Sequence, residues 1–188
     1  MENITKQKPA TKDDQQLYIN LLISNMDRII AEYHECVKKR KSIPLYGFDG
    51  TGTPLPEWRA VTLWWDKEPW RIFQKYLPFT TEFVRHAPTH QGTGWLILEP
   101  HSRTPEHNHI AWGHKIIIHI PTEIPEGDTG FCVDGKVHHW KMGELFAFDA
   151  NKNHYGYNNT SERRSIFVME FDYDEWYDTL RPYMLLET

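Results

Sequence analysis

From Asp13 onward, apolar side chains at Leu17, Leu21, Leu22, Met26, Ile29, Ile30, Tyr33 and Val37 recur mainly at three- and four-residue steps, the stripe of an amphipathic helix. The pattern predicts one helix over residues 13–41. Asp13 or Asp14 is its candidate cap, and Lys38-Lys39-Arg40-Lys41 suits the negative end of its dipole. Residues 1–12 are polar and are expected to form a flexible N-terminus. Residues 42–60 carry Gly47, Gly50, Gly52, Pro54 and Pro56, a loop composition in which Ile43 to Phe48 can supply a short strand. Val61 to Trp65 reads as a strand. Trp70 to Tyr76 reads as a short helix with Pro69 at its first turn, and Thr80 or Thr81 as the cap of another helix running through Phe83, Val84 and His86.

After Gly92 the period changes to that of strands. Trp95–Leu98, Lys115–Ile120, Gly130–Val133, Val137–Trp140, Leu145–Phe148, Tyr155–Asn158 and Ser165–Phe171 are separated by Pro, Gly, Asp and Asn. Many short strands at this spacing suit a small antiparallel barrel or a double-sheet jelly roll. Tyr173 to Leu180 is expected to be a helix against the sheet. The expected organisation is therefore mainly β with flanking helices: one domain over residues 13–188, with a helical segment at 13–41 and a jelly-roll core at 92–172.

Composition narrows the class. With 188 residues, 39% hydrophobic and 14% aromatic, the chain can bury one sizeable core and is too rich in large rings for disorder. The formal charge is -5 and no basic run exceeds Lys38 to Lys41, which argues against nucleic acid as a partner. Cys36 and Cys132 fit neither a metal motif nor a disulfide scaffold and read as free thiols of a reducing compartment. No apolar stretch approaches a membrane span, and Met1 to Gln16 lacks the apolar core of a secretory signal. A cytoplasmic protein with a small-molecule or peptide substrate, and no nucleic-acid or membrane partner, is expected.

Histidine is the unusual residue. There are eleven, and all but His34 lie between His86 and His154. In Pro105-Glu106-His107-Asn108-His109, two imidazoles two residues apart on a strand would share a face, and His154, forty-five residues after His109, could complete a metal site from a neighbouring strand. Arg164, ten residues after His154, opens a late strand. Projected into a barrel, its planar fork would need an anion, and a carboxylate fits it; the alternative is an exposed Arg163-Arg164 pair near a turn.

Together these residues resemble the aspartyl/asparaginyl β-hydroxylase family of 2-oxoglutarate- and iron(II)-dependent dioxygenases. Trp140-Lys-Met-Gly143, the apolar stretch to Phe148-Asp149, His154, Asn158 and Arg164 follow its C-terminal signature. Leu98-Glu-Pro100, with Pro105-Glu-His107 seven residues beyond the first Pro, resembles its upstream half, and His119-Ile-Pro121 falls thirty-five residues before His154. The resemblance covers roughly residues 77–172. It implies a double-stranded β-helix of cupin-like form, iron(II) held by His107 and His154, the distal carboxylate of 2-oxoglutarate held by Arg164, His119 beside that cosubstrate, and O2 as oxidant. The implied reaction is hydroxylation, or another oxidation, of an unactivated C–H bond.

Three positions depart from the family pattern. Ile117 stands where an arginine is usual, and Lys115, on the same strand face as His119, is the candidate replacement in cosubstrate binding. His109 stands where related oxygenases have an acid or a glycine, which leaves open a three-histidine centre, a water in the third position, or a substrate contact. His101 also follows a proline and competes with His107 for the first ligand position, although the spacings favour His107. His114, His138 and His139 have no counterpart and are expected to be exposed. Trp58, Trp64, Trp65 and Trp112 are candidates for a substrate pocket or for the core. Two rival readings remain: a cupin-type dioxygenase using His107, His109 and His154 without 2-oxoglutarate, and a non-catalytic metal- or carbohydrate-binding jelly roll.

Overall fold

Between Lys115 and Glu123, and again between Arg164 and Asp172, almost every residue is buried, so both strands must be covered on two faces. Ile116, Ile118, Ile120, Phe167, Met169 and Phe171 join one apolar cluster, while Ile117, Ile166 and Val168 join another. That period of two sets the layers of the molecule.

A computed structural model describes residues 11–39, 47–48, 54–55, 57–65, 68–88 and 91–185. In chain order the elements are α1 (Lys12–Ser24), α2 (Met26–Lys39), β1 (Gly47–Phe48), β2 (Pro54–Leu55), β3 (Trp58–Trp65), β4 (Glu68–Pro69), α3 (Arg71–Gln74), α4 (Pro78–Arg85), β5 (Thr93–Leu98), β6 (Ser102–Arg103), β7 (Lys115–Glu123), β8 (Thr129–Val133), β9 (Lys136–His138), β10 (Phe146–Asp149), β11 (His154–Asn158), β12 (Arg164–Asp172) and α5 (Tyr173–Leu180). Six strands form one antiparallel sheet in the order β10-β7-β12-β5-β3-β4, and four form a second in the order β6-β11-β8-β9. Phe131 and Val133 of the smaller sheet meet Ile117, Phe148, Ile166 and Val168 of the larger one. This is the jelly roll that the strand spacing predicts.

The other face of the larger sheet is closed by helices. Tyr33 of α2 stacks on Trp95 of β5 at 5.0 Å, and Trp95 packs on Phe167 of β12 at 4.7 Å. Trp176 of α5 packs on Phe171 at 4.1 Å. Trp64 joins this core, whereas Trp65 is exposed.

Several helix expectations are corrected. The single helix over 13–41 is two helices, broken at Asn25, whose side-chain amide donates to Leu21 O at 2.8 Å and so competes with the helical ladder. The cap is Thr11 rather than Asp13 or Asp14; Asp14 instead returns the bond to the Thr11 N–H as the second half of a capping box. Leu17 and Leu21 are exposed, and the buried face of α1 runs through Gln15, Tyr18, Ile19 and Leu22. Gln15 is tolerated inside because its amide donates to Glu175 O and its oxygen accepts from Thr179. Pro69 ends β4 rather than opening α3. Residues 1–10, Arg40, Lys41 and Ile43–Tyr46 lie outside the described residues.

Neither Thr80 nor Thr81 caps α4. The helix starts at Pro78, and the N–H groups of Phe79 and Thr80 donate to the Glu32 carboxylate of α2 at 2.8 and 2.7 Å, with Thr80 Oγ1 adding a third bond at 2.7 Å. One acid thus satisfies two orphan donors and ties two helices together. Glu32→Ala should therefore lower stability by about 1–3 kcal/mol, seen as a lower urea midpoint at unchanged slope.

Candidate metal centre

The backbone ladder fixes the first two side chains. His107 donates its N–H to His154 O at 3.1 Å, and His154 donates its own to His107 O at 2.8 Å. Residues opposite each other in an antiparallel pair share a face, and the two rings lie 4.4 Å apart. Further along the same pairing, Thr104 N–H donates to Gly156 O at 2.9 Å. Three steps from Thr104 to His107 therefore match two steps from Gly156 to His154, which makes a bulge at Pro105 and Glu106. Without that extra residue His107 would turn to the opposite face.

His109 arrives differently from the expected alternation along a strand. It leads into a short 3-10 turn, Ile110–Trp112, with φ -105° and ψ 15°, and its N–H donates to Ala150 O at 2.9 Å. Its ring nevertheless reaches 5.5 Å from His107 and 5.2 Å from His154. One ligand-capable nitrogen from each of the three histidines falls within a mutual 4.8 Å. Exposed His101, in a left-handed turn, is not in the group.

The donor set fits a transition metal. His107 Nδ1 lies 2.8 Å from Pro105 O, and His154 Nδ1 lies 2.8 Å from Lys152 O. A carbonyl only accepts, so each Nδ1 carries the proton and each Nε2 keeps its lone pair. Burial, and then the neighbouring imidazoles, push the His109 pKa down to about 3, and burial followed by His107 pushes that of His154 down to about 4. Burial lowers that of His107 too. Three neutral imidazoles suit iron, zinc, copper or nickel rather than a hard, oxygen-seeking ion.

Aromatic rings wall the site. Trp58 lies 5.8 Å from His107, and Trp112, 58% exposed, lies 5.1 Å from His109. On the inner side, Phe148 and Phe131 lie 4.9 and 5.8 Å from His154. The same two rings contact His119 at 5.0 and 4.6 Å. His119 is therefore buried, with Trp140 6.2 Å beyond it.

Arg164 occupies the far end of this row and is only 2% exposed. Strand alternation separates it from its neighbour: Arg163 turns outward to make two 2.9 Å bonds with Glu123, while the Arg164 guanidinium lies 4.5 Å over the Trp140 ring. Burial pushes its pKa down to about 9, so it is still a cation at neutral pH. Among the described residues no carboxylate pairs with it, and Arg164 Nε, His119 Nδ1 and Trp140 Nε1 are buried without partners. Space for the guanidinium comes from Gly156, where a Cβ would stand 2.5 Å from Arg164 Nη2. Asn158 fixes the approach to Arg164: its amide donates to Leu98, Glu99 and Glu162 carbonyls and its oxygen accepts from Thr160.

Lys115 is buried near the histidines, 3.3 Å from the Glu170 carboxylate, whose other oxygen is 3.9 Å from His109 Nδ1. Burial raises the Glu170 pKa and Lys115 opposes that shift. Glu170 escapes a reading of the sequence by motif. The signal for Glu170 was its parity with Arg164 on a strand too apolar to have a solvent face. His114 stacks on Tyr173 and bonds to Asp149, and His139 bonds to Thr129 O. With His138 they stand outside the three-histidine group.

Fold and site define a jelly roll with a cluster of three histidines that could hold a metal ion. The profile of the aspartyl/asparaginyl β-hydroxylase family matches residues 23–173, and the chain belongs to that family of hydroxylases. No curated protein matches the chain. Solved structures similar to it include the plu4264 protein of Photorhabdus luminescens, at 14% identity and a TM-score of 0.43, and a Cupin 2 conserved barrel domain protein of Salinispora arenicola, at 17% and 0.41; each comparison covers 75% of this chain and 98% of the other. Among the described residues no helix is long and apolar enough to cross a membrane.

The depressed imidazole pKa values couple stability to pH. In the unfolded chain these groups take up protons near the ordinary value of 6.5, whereas folded His154 and His109 resist until about 4 and 3. The unfolded state thus binds more protons between those limits, and stability falls as pH drops below 6.5. The loss is on the order of 3 kcal/mol for each fully buried imidazole. Metal-free protein should melt progressively lower from pH 6.5 to pH 4, and His154→Asn should flatten that slope; parallel slopes would refute this origin.

Proposed function

We propose that the protein is an iron(II)- and 2-oxoglutarate-dependent dioxygenase that oxidises an unactivated C–H bond of an amino acid, peptide or other small substrate. The carrying observation is Arg164, a guanidinium buried inside the barrel with an indole face against it and no anionic partner among the described residues. A buried cation of this kind costs several kcal/mol unless an anion meets it, and a ligand carboxylate can bond its planar fork in two places.

In this reading His107, His154 and His109 hold iron(II) through neutral nitrogens, and the two backbone-anchored tautomers keep two of those nitrogens aimed. With 2-oxoglutarate and O2, the bound iron supplies the oxidising power for C–H cleavage. Arg164 binds the far carboxylate of the cosubstrate, with the Trp140 and His119 N–H groups as further donors. Phe131 and Phe148 keep water from the space between. Trp58 and Trp112 flank the histidines and are positioned to orient an incoming substrate. Lys115, the candidate replacement for the family arginine, has Glu170 as its partner, which favours a role beside the metal over one at the far carboxylate.

The presence of His109 within the cluster favours a second reading, a cupin-type three-histidine dioxygenase that does not use 2-oxoglutarate. Anaerobic addition of iron(II) and 2-oxoglutarate separates the two. The first reading expects a visible charge-transfer band from the chelate, and Arg164→Ala should weaken 2-oxoglutarate binding by about 10²-fold, the cost of truncating one side of a buried charge pair. Iron binding without that band, with no effect of Arg164→Ala, supports the second. Gly156→Ala should weaken 2-oxoglutarate in the same titration while leaving iron affinity intact, because its Cβ displaces the guanidinium.

A further inference from the structure

We infer that Glu170 is the positioning residue for His109: when a metal binds, its carboxylate closes the remaining gap to accept the His109 Nδ1 proton and aims the opposite nitrogen at the metal. The inference rests on the three histidines being a metal centre. The three side chains are not held alike. His107 and His154 each anchor Nδ1 on the carbonyl two residues earlier, at 2.8 Å. For His109 the equivalent carbonyl belongs to His107, and that oxygen already accepts the His154 N–H in the ladder. The third histidine does not use the local anchor that holds the first two.

His109 Nδ1 is buried and makes no hydrogen bond, and Glu170 Oε1 lies 3.9 Å from it. The carboxylate is itself set in place. The Glu170 backbone is bracketed by bonds to Gly92 O and from Gln91 N–H, each 2.8 Å. Lys115 Nζ lies 3.3 Å from Oε2, and both side chains are close to nine-tenths buried. A Cβ on Gly92 would stand 3.0 Å from that same Oε2, so the glycine leaves the space the carboxylate fills. A buried acid and lysine are together costly relative to apolar residues of the same size. Holding a metal ligand in one tautomer and one orientation is a use that offsets such a cost.

The test is Co(II) titration of the full chain, followed by proton NMR of the Co(II)-loaded protein. Removing both charges in Lys115→Met/Glu170→Leu should leave the metal-free fold intact and weaken Co(II) about 10–100-fold, the usual effect of losing such a partner. In a His109→Ala background the same double change should have no further effect. Shifted imidazole N–H signals protected from exchange should fall from three to two. An unchanged Co(II) affinity in the double variant, alongside a loss in His109→Ala, would overturn the role of Glu170 while leaving the metal centre standing. An equal loss in both backgrounds would show a merely structural effect and also overturn it. If the wild type binds no Co(II), or His109→Ala binds as tightly as wild type, the metal reading of His109 fails and this inference with it. Should the double variant not fold, Gly92→Ala, which displaces the carboxylate without removing a charge, is read against the same outcomes.

Discussion

The double burial of β12 is the constraint on which the rest of the molecule turns. Its odd-numbered residues, from Phe167 to Phe171, have to be covered by helices, and its even-numbered residues by the second sheet. The alternation that gives a strand two apolar faces also decides where its charged residues go. Arg164 and Glu170 are both even, so both point between the sheets, six residues or about 20 Å apart along the strand. One element therefore carries a buried cation at one end and a carboxylate beside the histidines at the other. A one-residue slip in its pairing with β7 would expel both.

Charges placed inside a barrel oppose folding, and the composition of the surrounding core reflects that. Arg164, Lys115, Glu170, His119, His109 and His154 are all buried or nearly so. Apart from Arg164, each either has its charge met, as Lys115 and Glu170 meet one another, or stays neutral, as the imidazoles do. Among the described residues Arg164 is met by the face of Trp140, an interaction weaker than an ion pair. In the proposed function a ligand carboxylate offsets the rest of that cost, which is how a binding site differs from a satisfied core. The outer layer supplies the stability that the inner one gives up, through the Tyr33, Trp95 and Phe167 stack and the packing of Trp176 on Phe171.

Much of this was legible in the sequence because strands repeat with a period of two and turn residues end them. Each of the seven strand expectations after Gly92 overlaps an observed strand, although Val137–Trp140 meets β9 only at Val137 and His138 and β6 was not expected, and the family resemblance pointed to His107, His154 and Arg164, three side chains of one barrel. The helices were less legible. The break at Asn25 depends on a side-chain amide that competes with the backbone, and the start of α4 on an acid forty-seven residues away in the chain; neither leaves a periodic trace. Glu170 was overlooked because a charged residue near the end of a strand ordinarily faces water. Only the two-sided burial of β12 makes its position anomalous.

The His-x-His spacing shows how a correct placement can come from the wrong geometry. Alternation along a strand would put His107 and His109 on one face, yet neither lies in a continuous strand. His107 is turned inward by a bulge containing a proline that has no N–H to pair, and His109 is carried back by a short 3-10 turn. Two local irregularities cancel, and the rings converge. Irregular backbone is free of the ladder and can therefore aim side chains in directions a regular strand does not allow. The two histidines in the ladder are anchored by the carbonyls two residues earlier, whereas the third has no such anchor and faces Glu170 of β12 at 3.9 Å.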